Sequence, residues 1–222
     1  MKNTLKTLWD NTYKIIYPDF CPYCSKMLES YDYACESCKK KIPENGITQG
    51  VAGGYRSCSA LHYSGIFKRA LFRFKFRKKK YHARQFAYLL HRQVERSYPD
   101  MIFDYITYVP MHKKALRKRG FNQCEVLAKE LSKLMGIPYR STLVKIRNTK
   151  PQHELESIER YTNLIGAFKV ADKNAVKDKS ILLLDDVITT GSTLGECAKT
   201  LQKAKPAHIC CVTLLSVANL FY

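Results

Sequence analysis

Residues 181–194, ILLLDDVITTGSTL, constrain this chain more than any other stretch. Ile181, Leu182, Leu183 and Leu184 form the short continuous apolar run expected of a strand covered on both faces of a parallel sheet. Two acids, Asp185 and Asp186, follow where that strand is expected to end. Ligands of open α/β sheets bind at the carboxyl ends of strands, so the acids are expected to face a crevice rather than the core. Thr189, Thr190, Gly191, Ser192 and Thr193 then offer hydroxyls, consecutive backbone N–H groups and one unhindered glycine, before a helical pattern begins at about Ser192. A helix N-terminus approached by such a turn is an anion site. Leu194, Cys197, Ala198, Leu201 and Ala204 give that helix one buried face, and Pro206 ends it.

Neither GxxxxGK[ST] nor GxGxxG occurs, which argues against nucleoside triphosphatases and Rossmann dehydrogenases. On the residues alone an ordinary strand-turn-helix with an acidic turn stays open. The run nevertheless resembles, almost letter for letter, the phosphoribosyl pyrophosphate (PRPP) motif of type I phosphoribosyltransferases. That resemblance implies a binding set of Asp185, Asp186, Val187, Thr189, Thr190, Gly191, Ser192 and Thr193. The two aspartates would be the catalytic pair and would hold the ribose hydroxyls, and residues 189–193 would hold the 5-phosphate. Residues 111–123, MHKKALRKRGFNQ, follow another expected strand end. A phosphoribosyltransferase grips its leaving pyrophosphate with a loop at such a place, which nominates Arg117, Arg119 and Gly120. The alternative is a solvated basic loop.

CPYC, ten intervening residues and CESC place Cys21, Cys24, Cys35 and Cys38 in two pairs of metal-binding spacing. Four thiolates close a tetrahedral zinc site with no open position, so the metal would be structural. A redox role for one CxxC is the rival, and it leaves the second copy unexplained. The other five of the nine cysteines, Cys58, Cys124, Cys197, Cys210 and Cys211, read as small core hydrophobes.

With 38 Lys and Arg against 19 Asp and Glu the chain carries +19, which favours nucleic acid, phosphorylated metabolites or an anionic membrane surface as partners. Between residues 67 and 84, basic side chains interleave with Phe67, Phe72, Phe74, Phe76 and Tyr81, a composition suited to tracking a single strand while stacking its bases. Lys78, Lys79 and Lys80, with Lys113 and Lys114 of the basic loop, are the candidate nucleic-acid contacts. Ile66, Ala70 and Phe74 argue equally for a core helix whose other face is charged. Residues 4–17 read as a short amphipathic helix, packed on the protein or on a lipid surface. No secretory leader is legible, and residues 209–222 are too short to span a bilayer. The expected location is cytoplasmic, with reduced thiols.

From residue 55 onward strand and helix patterns alternate, as in a parallel sheet with helices on its faces. Helices are expected around Phe86–Val94 and Cys124–Leu134, and strands near residues 105–109, 142–146, 166–170, 181–184 and 208–216. Residues 43–54, with four glycines, read as a linker. The connection at residues 143–170, with Arg147, Gln152, His153, Arg160 and Asn163, is long enough to suggest a lid.

The order of the pieces, four cysteines, VPxxxxxxRxRGFNQxxxLA, RxxxPQ, RxxNxxGAF and the PRPP motif, closely resembles the ComF family of competence proteins. The resemblance covers nearly the whole chain. It implies an α/β, type I phosphoribosyltransferase-like parallel sheet flanked by helices at residues 51–222, and a helix and small four-cysteine zinc ribbon at residues 1–50. It also implies a protein that binds PRPP with Mg2+, keeps a structural Zn2+, and helps handle single-stranded DNA in natural transformation beside other competence proteins. Two other readings stay open: a catalytically inactive nucleic-acid-binding protein on the same fold, and a housekeeping salvage phosphoribosyltransferase. The acceptor of any transfer is not legible.

Overall fold

A computed structural model describes residues 19–28, 32–44, 46–77, 79–149 and 162–217, without the side chains of 47–49 and 51. The expected helix at residues 4–17 lies outside these, as do Lys78, Gln152, His153 and Arg160. The described elements are α1 (Glu36–Lys39), β1 (Ile47–Ala52), β2 (Tyr55–His62), α2 (Gly65–Phe76), a 3-10 turn (Lys80–His82) and α3 (Ala83–Ser97). They continue with β3 (Tyr105–Tyr108), α4 (Lys113–Arg119), α5 (Gln123–Met135), β4 (Leu143–Lys145), β5 (Phe168–Val170), β6 (Ser180–Ile188), α6 (Ser192–Gln202) and β7 (His208–Ser216).

Five strands pair in the order β1-β2-β7-β6-β3, and only the edge pair β1–β2 is antiparallel. Alternation along the central strands separates two apolar layers. Leu182, Leu184, Cys210 and Val212 pack with α2, α3 and α5, while Ile181, Leu183 and Cys211 pack with α6, β4 and β5. Helices therefore cover both faces, which explains the unbroken apolar run of β6. The five remaining cysteines are all buried, as expected.

Three expectations change. The stretch at residues 43–54 is not a linker throughout, because β1 occupies Ile47–Ala52 and pairs with β2 in the main sheet. The glycines disguised it: Gly53 and Gly54, at φ 59 and 92, make the hairpin turn that most side chains would resist. Second, β4 and β5 are not members of the parallel sheet but an antiparallel pair of their own. The outer edge of β3 is already taken by residues 138–140, through Ile106 N–H to the Pro138 carbonyl and Arg140 N–H to the Ile106 carbonyl, at 2.9 and 2.8 Å. Third, β6 does not end before the acids. Its pairing with β7 continues to Ile188 opposite Ser216, whereas β3 stops at Tyr108 opposite Leu184.

The N-terminal cysteine region packs into the main core. Cys21, Tyr23, Ala34, Cys38 and Ile42 share one apolar cluster with Phe67, Phe74 and Phe86. The ring of Tyr23 meets Phe67 edge-on at 5.4 Å and Phe86 at 6.2 Å.

Candidate functional site

Past the end of β3, β6 has a neighbouring strand on one side only, and the two acids stand in that stretch. They do not face an open crevice: Asp185 is 7% and Asp186 5% exposed. Two residues without a motif close it. Lys75, near the end of α2, places its Nζ 2.6 Å from Asp186 Oδ2. Cys124, in the first turn of α5, donates its thiol to Asp185 Oδ1 at 3.3 Å, and the same oxygen accepts the Asp186 N–H at 2.8 Å.

The electrostatics follow from this enclosure. Burial first, then the charge of Asp186, pushes the Asp185 carboxyl up to about 7. Burial would lower the Lys75 ammonium, but Asp186 outweighs it and holds Lys75 above its usual value, so Lys75 stays cationic. Burial, then Asp185 and Asp186, keeps Cys124 a neutral thiol. Lys145, on β4, is lowered by burial against the pull of Cys197 and Asp185. The ligand atoms of Cys124, Asp185 and Asp186 all lie within 4.8 Å of one another. Mg2+ prefers oxygen, usually through one or two carboxylates plus substrate phosphates, so the acid pair fits that ion and the protonated thiol does not.

The hydroxyl-rich turn lies where expected, with α6 beginning at Ser192 and Gly191 as its N-cap at φ 74. Thr189, Thr190, Ser192 and Thr193 are half-buried, as is Val187. Thr190 and Ser192 share a hydroxyl hydrogen bond of 2.7 Å that orders the turn. A Cβ on Gly191 would sit 3.2 Å from the Ala52 Cβ, so the end of β1 backs this turn. The GAF segment is tied to the same helix, because Gly166 N–H donates to Glu196 Oε1 at 2.9 Å. Arg147 is spent nearby on the Asn163 and Ile165 carbonyls, at 3.0 and 2.7 Å.

The basic loop holds a helix that its charge had hidden: α4 has no buried residue and ends on Gly120 at φ 84. Arg117 is exposed, whereas Arg119 donates to Gln123 Oε1 at 2.6 Å and lies 5.1 Å over the ring of Phe76. Lys80 lies 4.9 Å over Phe121 of the RGFNQ segment. The two basic segments, separate in sequence, therefore meet. Phe72 and Phe76, 55% exposed each, and Tyr81, 46% exposed, stand among Lys79, Lys80 and Arg119, while Lys113 and Lys114 are exposed on α4. The expected core helix is present: α2 buries Phe67, Ala70, Leu71 and Phe74 and presents Phe72 and Phe76 outward.

The structure brings Cys21, Cys24, Cys35 and Cys38 together, with their Sγ atoms all within 4.8 Å and Cys24 to Cys35 at 3.5 Å. Tetrahedral Zn–S bonds of about 2.3 Å put neighbouring sulfurs about 3.8 Å apart, so four thiolates here fit one zinc ion. The Ser37 hydroxyl lowers Cys35 to about 6, while burial raises Cys21 and Cys38. Arg73 of α2 donates to the carbonyls of Pro22 and Tyr23 at 2.5 and 2.8 Å, gripping the first knuckle from outside.

A model of the phosphoribosyl transferase domain matches residues 122–219, which include the acid pair, the turn and α6. Competence protein F of Haemophilus influenzae is 32% identical over 189 residues, 83% of this chain and 79% of that protein. The chain belongs to the ComF family. Other ComF-family relatives include the DNA utilization protein YhgH of Salmonella typhimurium, 30% identical over 85% of this chain and 80% of that one. Competence protein ComFC of Bacillus subtilis is 29% identical over 84% of each. Among solved structures, an adenine phosphoribosyltransferase aligns over 67% of this chain and 76% of its own, at 15% identity and a TM-score of 0.42. The type I architecture of this ComF-family chain rests on its parallel sheet with helices on both faces and on the domain match. Among the described residues no helix is long and apolar enough to cross a membrane.

Proposed function

We propose that this ComF-family protein binds PRPP with Mg2+ at the β6–α6 junction and handles single-stranded DNA along the adjoining basic and aromatic face. The observation that carries the first part is the acid pair followed directly by a hydroxyl-rich turn at the N-terminus of α6. Asp185 and Asp186 would accept hydrogen bonds from the ribose hydroxyls. The hydroxyls and N–H groups of residues 189–193 would take the 5-phosphate, and Arg117, Arg119 and Gly120 the pyrophosphate. Mg2+, when bound, would offset charge on the pyrophosphate and orient it. In a transfer the bond from the anomeric carbon to the pyrophosphate oxygen breaks as a bond to the acceptor nucleophile forms, and the positive character of the sugar develops beside the acid pair.

The second part draws on relatives named for competence and DNA utilization, and on the joining of residues 72–81 to the end of α4. Lysines and arginines would neutralise phosphates while Phe72, Phe76 and Tyr81 offer faces for bases. A zinc ion on the four cysteines would hold the N-terminal region.

Calorimetry of magnesium PRPP with the parent chain and with the Asp185→Asn, Asp186→Asn double variant tests the sugar-phosphate reading. Binding should be measurable in the parent and lost in the variant. Equal affinity in the two, with both folded, sinks it.

A further inference from the structure

We infer that Lys75 is itself a ligand-binding residue of the sugar-phosphate site, a counter-cation held on Asp186 that turns to the pyrophosphate of an incoming phosphorylated sugar. This rests on the PRPP reading above.

Four consecutive residues at the end of α2 touch four different parts of the molecule. Arg73 grips the cysteine knuckle, and Phe74, fully buried, packs edge-on against Phe86 and Phe121 at 5.5 and 5.9 Å. Lys75 meets Asp186, and Phe76 lies under the guanidinium of Arg119. The backbone at Lys75 is therefore clamped on both sides, while its ammonium rides on a flexible four-carbon stem. The acid pair and Arg119, one of the arginines nominated for pyrophosphate, thus border the same turn of α2 through Lys75 and Phe76.

An ion pair between a buried carboxylate and a half-buried ammonium is a poor way to stabilise a core, because desolvating the charges offsets much of their attraction. A ligand-binding role gives a reason for this one. Two carboxylates side by side repel a polyanion. Once ribose hydroxyls hydrogen-bond to Asp186, its charge is solvated by the ligand, and the freed ammonium can neutralise a phosphate oxygen.

The test is calorimetry of the full-length, zinc-loaded chain with two probes, magnesium PRPP and magnesium ribose 5-phosphate, for the parent, Lys75→Met and Lys75→Arg. Lys75→Met should weaken PRPP roughly ten- to a hundredfold, the loss of one charge-assisted hydrogen bond. Lys75→Arg should recover most of it, and ribose 5-phosphate, which has no pyrophosphate, should change little. Unchanged PRPP affinity in Lys75→Met overturns the inference and leaves the PRPP reading standing. Equal weakening of both probes also overturns it, by showing that Lys75 only props up Asp186. A parent chain that binds neither probe removes the PRPP reading and this inference together. Should Lys75→Met not fold, carbon-13 methylation of lysines in the unmutated chain gives the answer. The Lys75 resonance should move with PRPP and not with ribose 5-phosphate, and an unmoved resonance refutes the role.

Discussion

Gly53 and Gly195 meet backbone to backbone: a Cβ added to Gly53 would lie 2.5 Å from the Gly195 Cα, and one added to Gly195 would lie 3.0 Å from the Gly53 Cα. The hairpin turn between β1 and β2 is thus seated on the first turn of α6, behind the hydroxyl-rich segment. Hairpin and turn must move together.

Gly195→Ala sets two effects against each other. Alanine favours a helix interior over glycine by up to about 1 kcal/mol, whereas overpacking costs about 1–3 kcal/mol. The contact is with backbone, which cannot swing aside, so overpacking should win and Tm should fall by roughly 2–4 °C per kcal/mol for a chain of this size. A thermal melt reads the sign directly, and an unchanged or raised Tm would mean that the hairpin yields freely.

The four cysteines predict close to one zinc per purified chain. Cys35→Ser with Cys38→Ser should remove it and lower the melting temperature, since Arg73 loses the ordered carbonyls that it holds. Plasma emission analysis checks the metal, and zinc retained at one per chain in the double variant would refute the site.

His82 predicts an acid-labile fold. It is 1% exposed, and neither ring nitrogen has a hydrogen-bond partner among the described residues. Burial, then Lys79 and Arg73, lowers it to about 4, against about 6.5 for an unfolded histidine. A value depressed in the folded state means that the unfolded chain takes up the proton first. This contribution to stability is complete above about pH 6.5 and is lost as pH falls toward 4. His82→Phe, which would sit beside Tyr81 and Phe86, should flatten the slope of denaturant stability over that window. The same slope in parent and variant would place the acid sensitivity elsewhere.

Binding to single-stranded DNA should separate charge from stacking. Each phosphate contact contributes ~0.7 to the slope of log affinity against log salt, so replacing Lys79, Lys80, Lys113 and Lys114 with Ala should flatten it by up to ~3. Phe72→Ala with Phe76→Ala should instead lower affinity at every salt concentration, by about 1–3 kcal/mol per base unstacked, with the slope kept. Fluorescence anisotropy with a labelled oligonucleotide across a salt series distinguishes the two, and an unchanged slope in the lysine variant removes that face from the interface.

What the sequence revealed was local, and what it concealed depends on packing. The β6 run, the turn at residues 189–193 and the cysteine pairs are each specified within a few positions, so their placement could be read directly. Lys75 and Cys124 carry no motif. They matter only because α2 and α5 converge over the stretch of β6 that runs past β3, and that also turned an expected crevice into a closed pair of acids. β1 was missed because Gly50 within it and Gly53 and Gly54 just after it break the alternation by which strands are recognised, and the pairing of β4 with β5 because three residues hold no period. The helix α4 was obscured by having no apolar face at all.

The shared core of Tyr23, Phe67 and Phe86 has an evolutionary consequence. A zinc module that can be shuffled between genes needs a surface of its own, and here the knuckle is one wall of the enzyme-like domain. A gene fragment starting at residue 51 would bare Phe67 and Phe86 and remove the two carbonyls that Arg73 holds. A lineage that discarded the cysteine segment would have to rebuild the outer side of α2 in the same step.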